Sequence, residues 1–154
     1  MIESHTPLSG SQIRTRCCIV GGGPAGLFLG YLLARAGVEV IVLEKHKDFL
    51  CDFRGDTIHP STLQLLFELG LLDEFLKIAD KHFESLNLNF EGQQIPGPYF
   101  THLPTECKFI TFAPQWDFLN MIASHACEYP NFHLHLQAEA KHLIRDGEHV
   151  IGVK

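Results

Sequence analysis

CCIVGGGPAGLFLGYLLARAGVEVIVLE, residues 17–44, is the stretch whose reading decides the fold. Arg16 to Val20 is short and nearly all apolar, as expected of a strand in a parallel sheet covered by helices on both faces. There Cys17 and Cys18 count as small buried hydrophobes. Pro24 to Ala36 has helical composition and meets a stop signal at Gly37, and Val38 to Leu43 reads as a second buried strand. Strand, helix and strand together have the length of one βαβ unit, about 30 residues.

The turn inside this unit, Gly21-Gly22-Gly23-Pro24-Ala25-Gly26, supplies the pattern G-x-G-x-x-G. On its own it would be no more than a tight connection, but each position answers a physical demand. Gly21 permits the sharp turn, Gly23 removes a side chain where a diphosphate must touch backbone, and Gly26 lets the helix pack close to the strand. The helix starting near Pro24 offers free N–H groups and about half a positive charge to the diphosphate, so the loop needs no lysine or arginine. It has none.

Outward from the turn, Gly30 lets the helix lie on the sheet, Leu33 is expected to face inward and Val40 to fill the second strand. Glu44 closes that strand 18 residues after Gly26. Its carboxylate suits the two hydroxyls of an adenosine ribose, and its charge would repel a 2′-phosphate, which disfavours NADP at this position. These features predict a dinucleotide site. FAD and NAD make the same contacts, so the fingerprint does not choose between them.

Beyond the unit, Lys45 to His59 reads as polar loop, Pro60 to Gly70 as a leucine-rich helix and Leu71 to Ala79 as a shorter one. Leu86, Leu88 and Phe90 alternate with polar residues between Phe83 and Glu91, the period of a strand with one wet face. Gly92 to Glu106, with its three prolines, is expected to be loop, and Phe109 to Phe112 a return strand. Pro114 to Glu128 is helical, with Phe118, Ile122 and Ala126 on one stripe. Phe132 to Leu136 reads as a strand, and Lys141 to Arg145 with His149 to Val153 as a hairpin about Asp146-Gly147.

Composition limits the partners. With 154 residues, 45% of them hydrophobic, the chain suits a core-bearing globular protein. Its net charge of −6 gives no basic field for nucleic acid. The opening MIESHTPLSGSQIRTR lacks the apolar core of a secretory signal and no apolar run spans a bilayer, so a cytoplasmic location without membrane insertion is expected. Five cysteines without a C-x-x-C fit reduced thiols better than disulfides or zinc. His133 and His135 share one face of a strand but lack a third ligand, and strand surface is the expected role. No nucleophile motif such as G-x-S-x-G occurs, the lone Trp116 reads as packing, and Arg54-Gly55-Asp56 is treated as chance.

GGGPAG at 21–26, VEVIVLEK at 38–45 and DFRGDTIHPSTLQLLFELGLLDEF at 52–75 together resemble the opening of the FAD-dependent aromatic hydroxylases related to para-hydroxybenzoate hydroxylase. The resemblance implies an α/β fold: a Rossmann-like FAD-binding domain with a parallel sheet, plus the first antiparallel strands of a substrate-binding sheet. It divides the chain into a polar lead (1–15), a first FAD-binding segment (16–82), the start of the substrate sheet (83–112) and a second FAD-binding segment (113–154). It implies FAD contacts at Gly21, Gly23, Pro24, Ala25, Gly26, Glu44 and Lys45, and from Arg54 and Gln115.

The implied reaction inserts one oxygen atom of O2 into a small organic, aromatic substrate at the expense of NAD(P)H. Flavin carries that chemistry, so no catalytic residue is assigned. Two further FAD motifs of the family, an Asp-Gly and a later Gly-Asp, are not found. Asp146-Gly147 fits a turn instead, and the chain is expected to be the front part of a longer protein. Self-association stays open. The alternatives are another FAD oxidoreductase (dehydrogenase, halogenase or reductase), a non-catalytic FAD-binding fragment, and an NAD-dependent dehydrogenase.

Overall fold

The computed structural model describes residues 12–50, 57–79 and 81–154. Arg54, Cys51 and most of the polar lead lie outside them. The described chain divides into two compact units, one formed by residues 12–50 with 119–154 and the other by residues 57–118.

The first unit is built on β1 (Cys17–Val20), α1 (Pro24–Arg35) and β2 (Val40–Leu43). β1 and β2 pair in parallel from Cys17 opposite Val40 to Val20 opposite Leu43, so α1 is the crossover that a parallel pair requires. The same edge-to-edge logic adds a strand from late in the chain, which lies parallel to β2 with Val40 opposite Phe132 and Leu43 opposite His135. The strand order is therefore first, second, late, with β2 in the middle.

Central position explains composition. Val40, Ile41 and Val42 are all buried, as a strand covered on both faces must be. β1 departs from the expectation made for it: Cys18 is exposed and Val20 is 57% exposed, because the strand ends the sheet and only one of its faces is covered. Helix α1 lays Leu27, Gly30, Tyr31 and Ala34 against the sheet, positions i, i+3, i+4 and i+7. Leu33 sits half-buried at the margin of that stripe instead of inside it.

The second unit begins with β3 (Thr57–Ile58), α2 (Pro60–Leu69) and α3 (Leu72–Phe75). Pro60 opens α2 and Gly70 ends it in the left-handed region at φ 75°, as a C-terminal glycine does. α3 is shorter than the helix expected to Ala79. β4 (Lys81–Phe83), β5 (Ser85–Phe90), β6 (Gln93–Tyr99) and β7 (Ile110–Phe112) follow. β7 is the centre of a three-stranded antiparallel sheet between β3 and β4, and the Thr111 hydroxyl, fully buried, donates to the Lys81 carbonyl at 2.6 Å. Phe75 and Phe118 meet edge to face at 5.7 Å in the core of this unit.

Further sequence expectations fail in the second unit, where β3 lies inside the stretch Lys45 to His59 expected to be polar loop. Gly92 to Glu106 is not all loop, since β6 pairs with β5 through Pro96 opposite Asn87. The pair stands as a two-stranded ribbon, and proline is tolerated on strands with an unpaired edge. β5 also lacks the buried face that its alternation suggested: Leu88 and Phe90 are 58% and 63% exposed.

The chain returns to the first unit along α4 (Gln115–Cys127), within which the boundary between the units falls. Phe118, Ile122 and Ala126 are all buried. β8 (Phe132–His135) is the late strand of the parallel sheet, and β9 (Leu143–Asp146) with β10 (His149–Val153) forms the hairpin. Its turn is Gly147-Glu148, one residue later than expected, with Gly147 at φ 59°. Asn131 clamps the layers by donating from Nδ2 to the carbonyls of Ala34 at 2.9 Å and Val38 at 2.8 Å.

Candidate functional site

The turn from β1 into α1 is tied to the end of β2 by a backbone bond at Gly21 and by a side-chain bond at Gly22. Gly21, at φ 108°, donates its N–H to the Leu43 carbonyl at 2.8 Å, which ties the turn to the end of β2. That φ is open to glycine and strained for other residues. Gly23 is the N-cap of α1 and its carbonyl accepts from Leu27 at 2.9 Å. Among the described residues no side chain caps the helix, and its first turn holds no acidic residue. Pro24 has no N–H to offer, so the N–H groups of Ala25 and Gly26 carry the positive end of the helix dipole.

Two kinds of glycine can be told apart. A Cβ on Gly26 would stand 1.9 Å from the Gly21 carbonyl oxygen, so that position is closed by the protein itself. A Cβ on Gly21 or Gly23 would meet nothing within 4 Å. Space beside bare backbone at the mouth of an uncapped helix is the cradle that a diphosphate needs.

Glu44 sits at the same end of the sheet. Its Oε2 accepts from the Gly22 N–H at 2.7 Å, and its Oε1 accepts from the His46 N–H at 2.9 Å and lies 2.7 Å from His46 Nδ1. Burial pushes the Glu44 carboxyl up, but the bonds from the His46 and Gly22 N–H groups and from the His46 ring outweigh it, so the net shift is downward. The carboxylate is therefore ionised at neutral pH, as a partner for ribose hydroxyls should be. A strap behind it fixes the turn, with Glu44 N–H donating to the His135 carbonyl and Ala138 N–H to the Glu44 carbonyl, at 2.9 and 2.8 Å.

The structure brings Gly21, Gly23, Pro24, Ala25, Gly26 and Glu44 together at the carboxyl end of the parallel strands. Lys45 follows as an exposed residue, Arg54 lies outside the described residues, and Gln115 opens α4 within the 57–118 unit, half-buried. His46 escaped the sequence reading, and the only signal for it was a hydrogen-bonding side chain two residues beyond the acidic strand end. His135 is buried and not strand surface as expected. Among the described residues no group of histidine, cysteine, aspartate and glutamate could hold a metal ion, and no helix is long and apolar enough to cross a membrane. Cys107 is buried, and burial, with Glu106 acting the same way, raises its pKa, so its thiol stays protonated and inert.

Comparison with known proteins fits this geometry. The model of a family described as FAD binding domain matches residues 14–153. The chain is 27% identical over 139 residues to 6-methylpretetramide 4-monooxygenase of Streptomyces rimosus, covering 90% of this chain and 33% of that one. It is 33% identical over 84 residues to p-hydroxybenzoate hydroxylase of Acinetobacter baylyi, covering 53% and 20%. Among solved structures, p-nitrophenol 4-monooxygenase from Pseudomonas putida superposes with a TM-score of 0.76 at 27% identity, over 87% of this chain and 34% of that one. The chain thus spans between 20% and 34% of the length of these relatives.

Proposed function

Because the chain belongs to the FAD binding domain family, we propose that it holds the FAD of a cytoplasmic flavin monooxygenase that hydroxylates a small aromatic substrate with NAD(P)H and O2. FAD is the cofactor of that family. In the overall reaction one atom of O2 enters the substrate and the other leaves as water, with two electrons from NAD(P)H and one proton balancing the exchange. Three similar proteins bear the names 6-methylpretetramide 4-monooxygenase, p-hydroxybenzoate hydroxylase and p-nitrophenol 4-monooxygenase, which supports the choice of reaction.

The observation that carries the reading is the Glu44 carboxylate seated 2.7 Å from the Gly22 N–H, at the head of a helix that no side chain caps. Bound there, FAD supplies the redox chemistry. The protein's share is to grip the diphosphate with the N–H groups of Ala25 and Gly26, to leave room for it at Gly23, and to hold the adenosine ribose at Glu44. Lys45, Arg54 and Gln115 complete the contacts in this reading, Arg54 through charge-assisted bonds to phosphate oxygens.

Titration with FAD, followed by flavin fluorescence and absorbance, tests the cofactor site. Saturable binding is expected, with no competition from NADP. Incubation with NADPH, 18O2 and a panel of phenols then tests the reaction. Label in a hydroxylated product supports it, whereas a product chlorinated in the presence of chloride points to the halogenase alternative.

A further inference from the structure

A carboxylate offers about four lone-pair directions, two on each oxygen. In Glu44 both directions of Oε1 are taken by one residue, through the His46 N–H at 2.9 Å and the His46 ring at 2.7 Å. For Nδ1 to sit that close to a carboxylate oxygen it must carry a hydrogen, which fixes the tautomer of a neutral ring. Among the described residues, Oε2 has one direction filled by Gly22 and one left. The donor count therefore leaves room for one ribose hydroxyl, not the two expected from the position of an acidic residue at this strand end.

We propose that His46 is a positioning residue that saturates Oε1 of Glu44 and so makes the carboxylate read a single hydroxyl of the FAD adenosine through Oε2. The ring is well placed for such a role. The side chain of Glu44 is 11% exposed and held by the protein, while that of His46 is 41% exposed and lies on the solvent side of the pair. The backbone of His46 is fixed as well, since its carbonyl accepts from the Gln137 N–H at 3.0 Å, so its N–H and its ring are delivered to Oε1 together. The proposal rests on the FAD reading above.

The test measures dissociation constants of the whole chain for FAD and for its 2′-deoxyadenosine and 3′-deoxyadenosine analogues. For the natural protein, loss of one hydroxyl should weaken binding about tenfold and loss of the other less than about twofold. In His46→Ala a direction on Oε1 is released, so both analogues should bind less well than FAD. His46→Asn places an amide N–H where Nδ1 stood and should restore the one-sided pattern, whereas His46→Gln, whose donor lies farther out, should not. Equal penalties for the two hydroxyls in the natural protein, or one pattern shared by all variants, would overturn the role of His46 while leaving FAD binding intact. Failure of the natural protein to bind FAD would overturn the cofactor site and this proposal together.

Discussion

At Glu44 opposing influences meet on one carboxyl group, and their balance sets how the turn responds to acid. Burial raises its pKa, the bonds from His46 and Gly22 lower it further than that, and the folded value ends below the ordinary one of about 4.3. The unfolded chain then binds the proton more readily, so the stabilisation is complete above the ordinary value and is lost as pH falls through the lower folded value. Urea unfolding across a pH series should show Glu44→Gln less stable than the natural chain at neutral pH, with the gap closing below about pH 4. A gap that stays constant into acid would contradict the assignment. The same substitution should weaken FAD binding by about tenfold or more, the value of a hydrogen bond to a charged group. Gly26 makes a second residue-scale prediction. An added Cβ at 1.9 Å from the Gly21 carbonyl oxygen has no flexible side chain to displace. Gly26→Ala should lower stability by about 1–3 kcal/mol by overpacking and distort the turn, which thermal unfolding and FAD titration would both register.

At the scale of elements, the sequence disclosed what is written in periodicity and punctuation. α1, α2 and α4 begin and end within a residue or two of where proline, glycine and the apolar stripe put them. β1 and β2 were legible for the same reason, and so was the glycine turn between them. What stayed hidden is set by pairing. Thr57–Ile58 is a strand only because Phe112 and Thr111 lie opposite, and two residues carry no period. β6 was hidden by Pro96 and Pro98, which signal loop unless the partner strand is known. His46 was missed because its role depends on a carboxylate orientation that no spacing rule encodes. Gly30 shows the legible kind of contact in quantitative form, since a Cβ there would lie 2.8 Å from Phe132 Cε2 and 2.9 Å from Val42 Cγ2. Gly30→Ala should cost about 1–3 kcal/mol. Because the first clash is with a side chain, pairing it with Phe132→Leu should cost less than the two single changes added together. Strict additivity in that double-mutant cycle would mean that α1 does not pack on β8 through these atoms.

For the whole molecule, the glycine turn and Glu44 lie in one compact unit, formed by residues 12–50 and 119–154, and ligand linkage must be read there. Trp116, the only tryptophan, belongs to the other unit, so its fluorescence is not the probe of choice. Hydrogen exchange at β1, β2 and β8 follows the first unit directly. A ligand that binds only the folded form stabilises it by mass action, about 2.7 kcal/mol at a hundred times its dissociation constant. FAD at that excess should slow exchange in those strands by up to about a hundredfold, if they open only by unfolding of the unit. NADH at the same concentration should leave them unchanged, and NADPH should do so more firmly, because its 2′-phosphate would face the Glu44 carboxylate. The comparison separates the two cofactors that share this fingerprint. Protection by NADH without protection by FAD would turn the site into that of a nicotinamide enzyme, and the glycine turn, the uncapped helix and Glu44 would keep their geometry while changing their ligand.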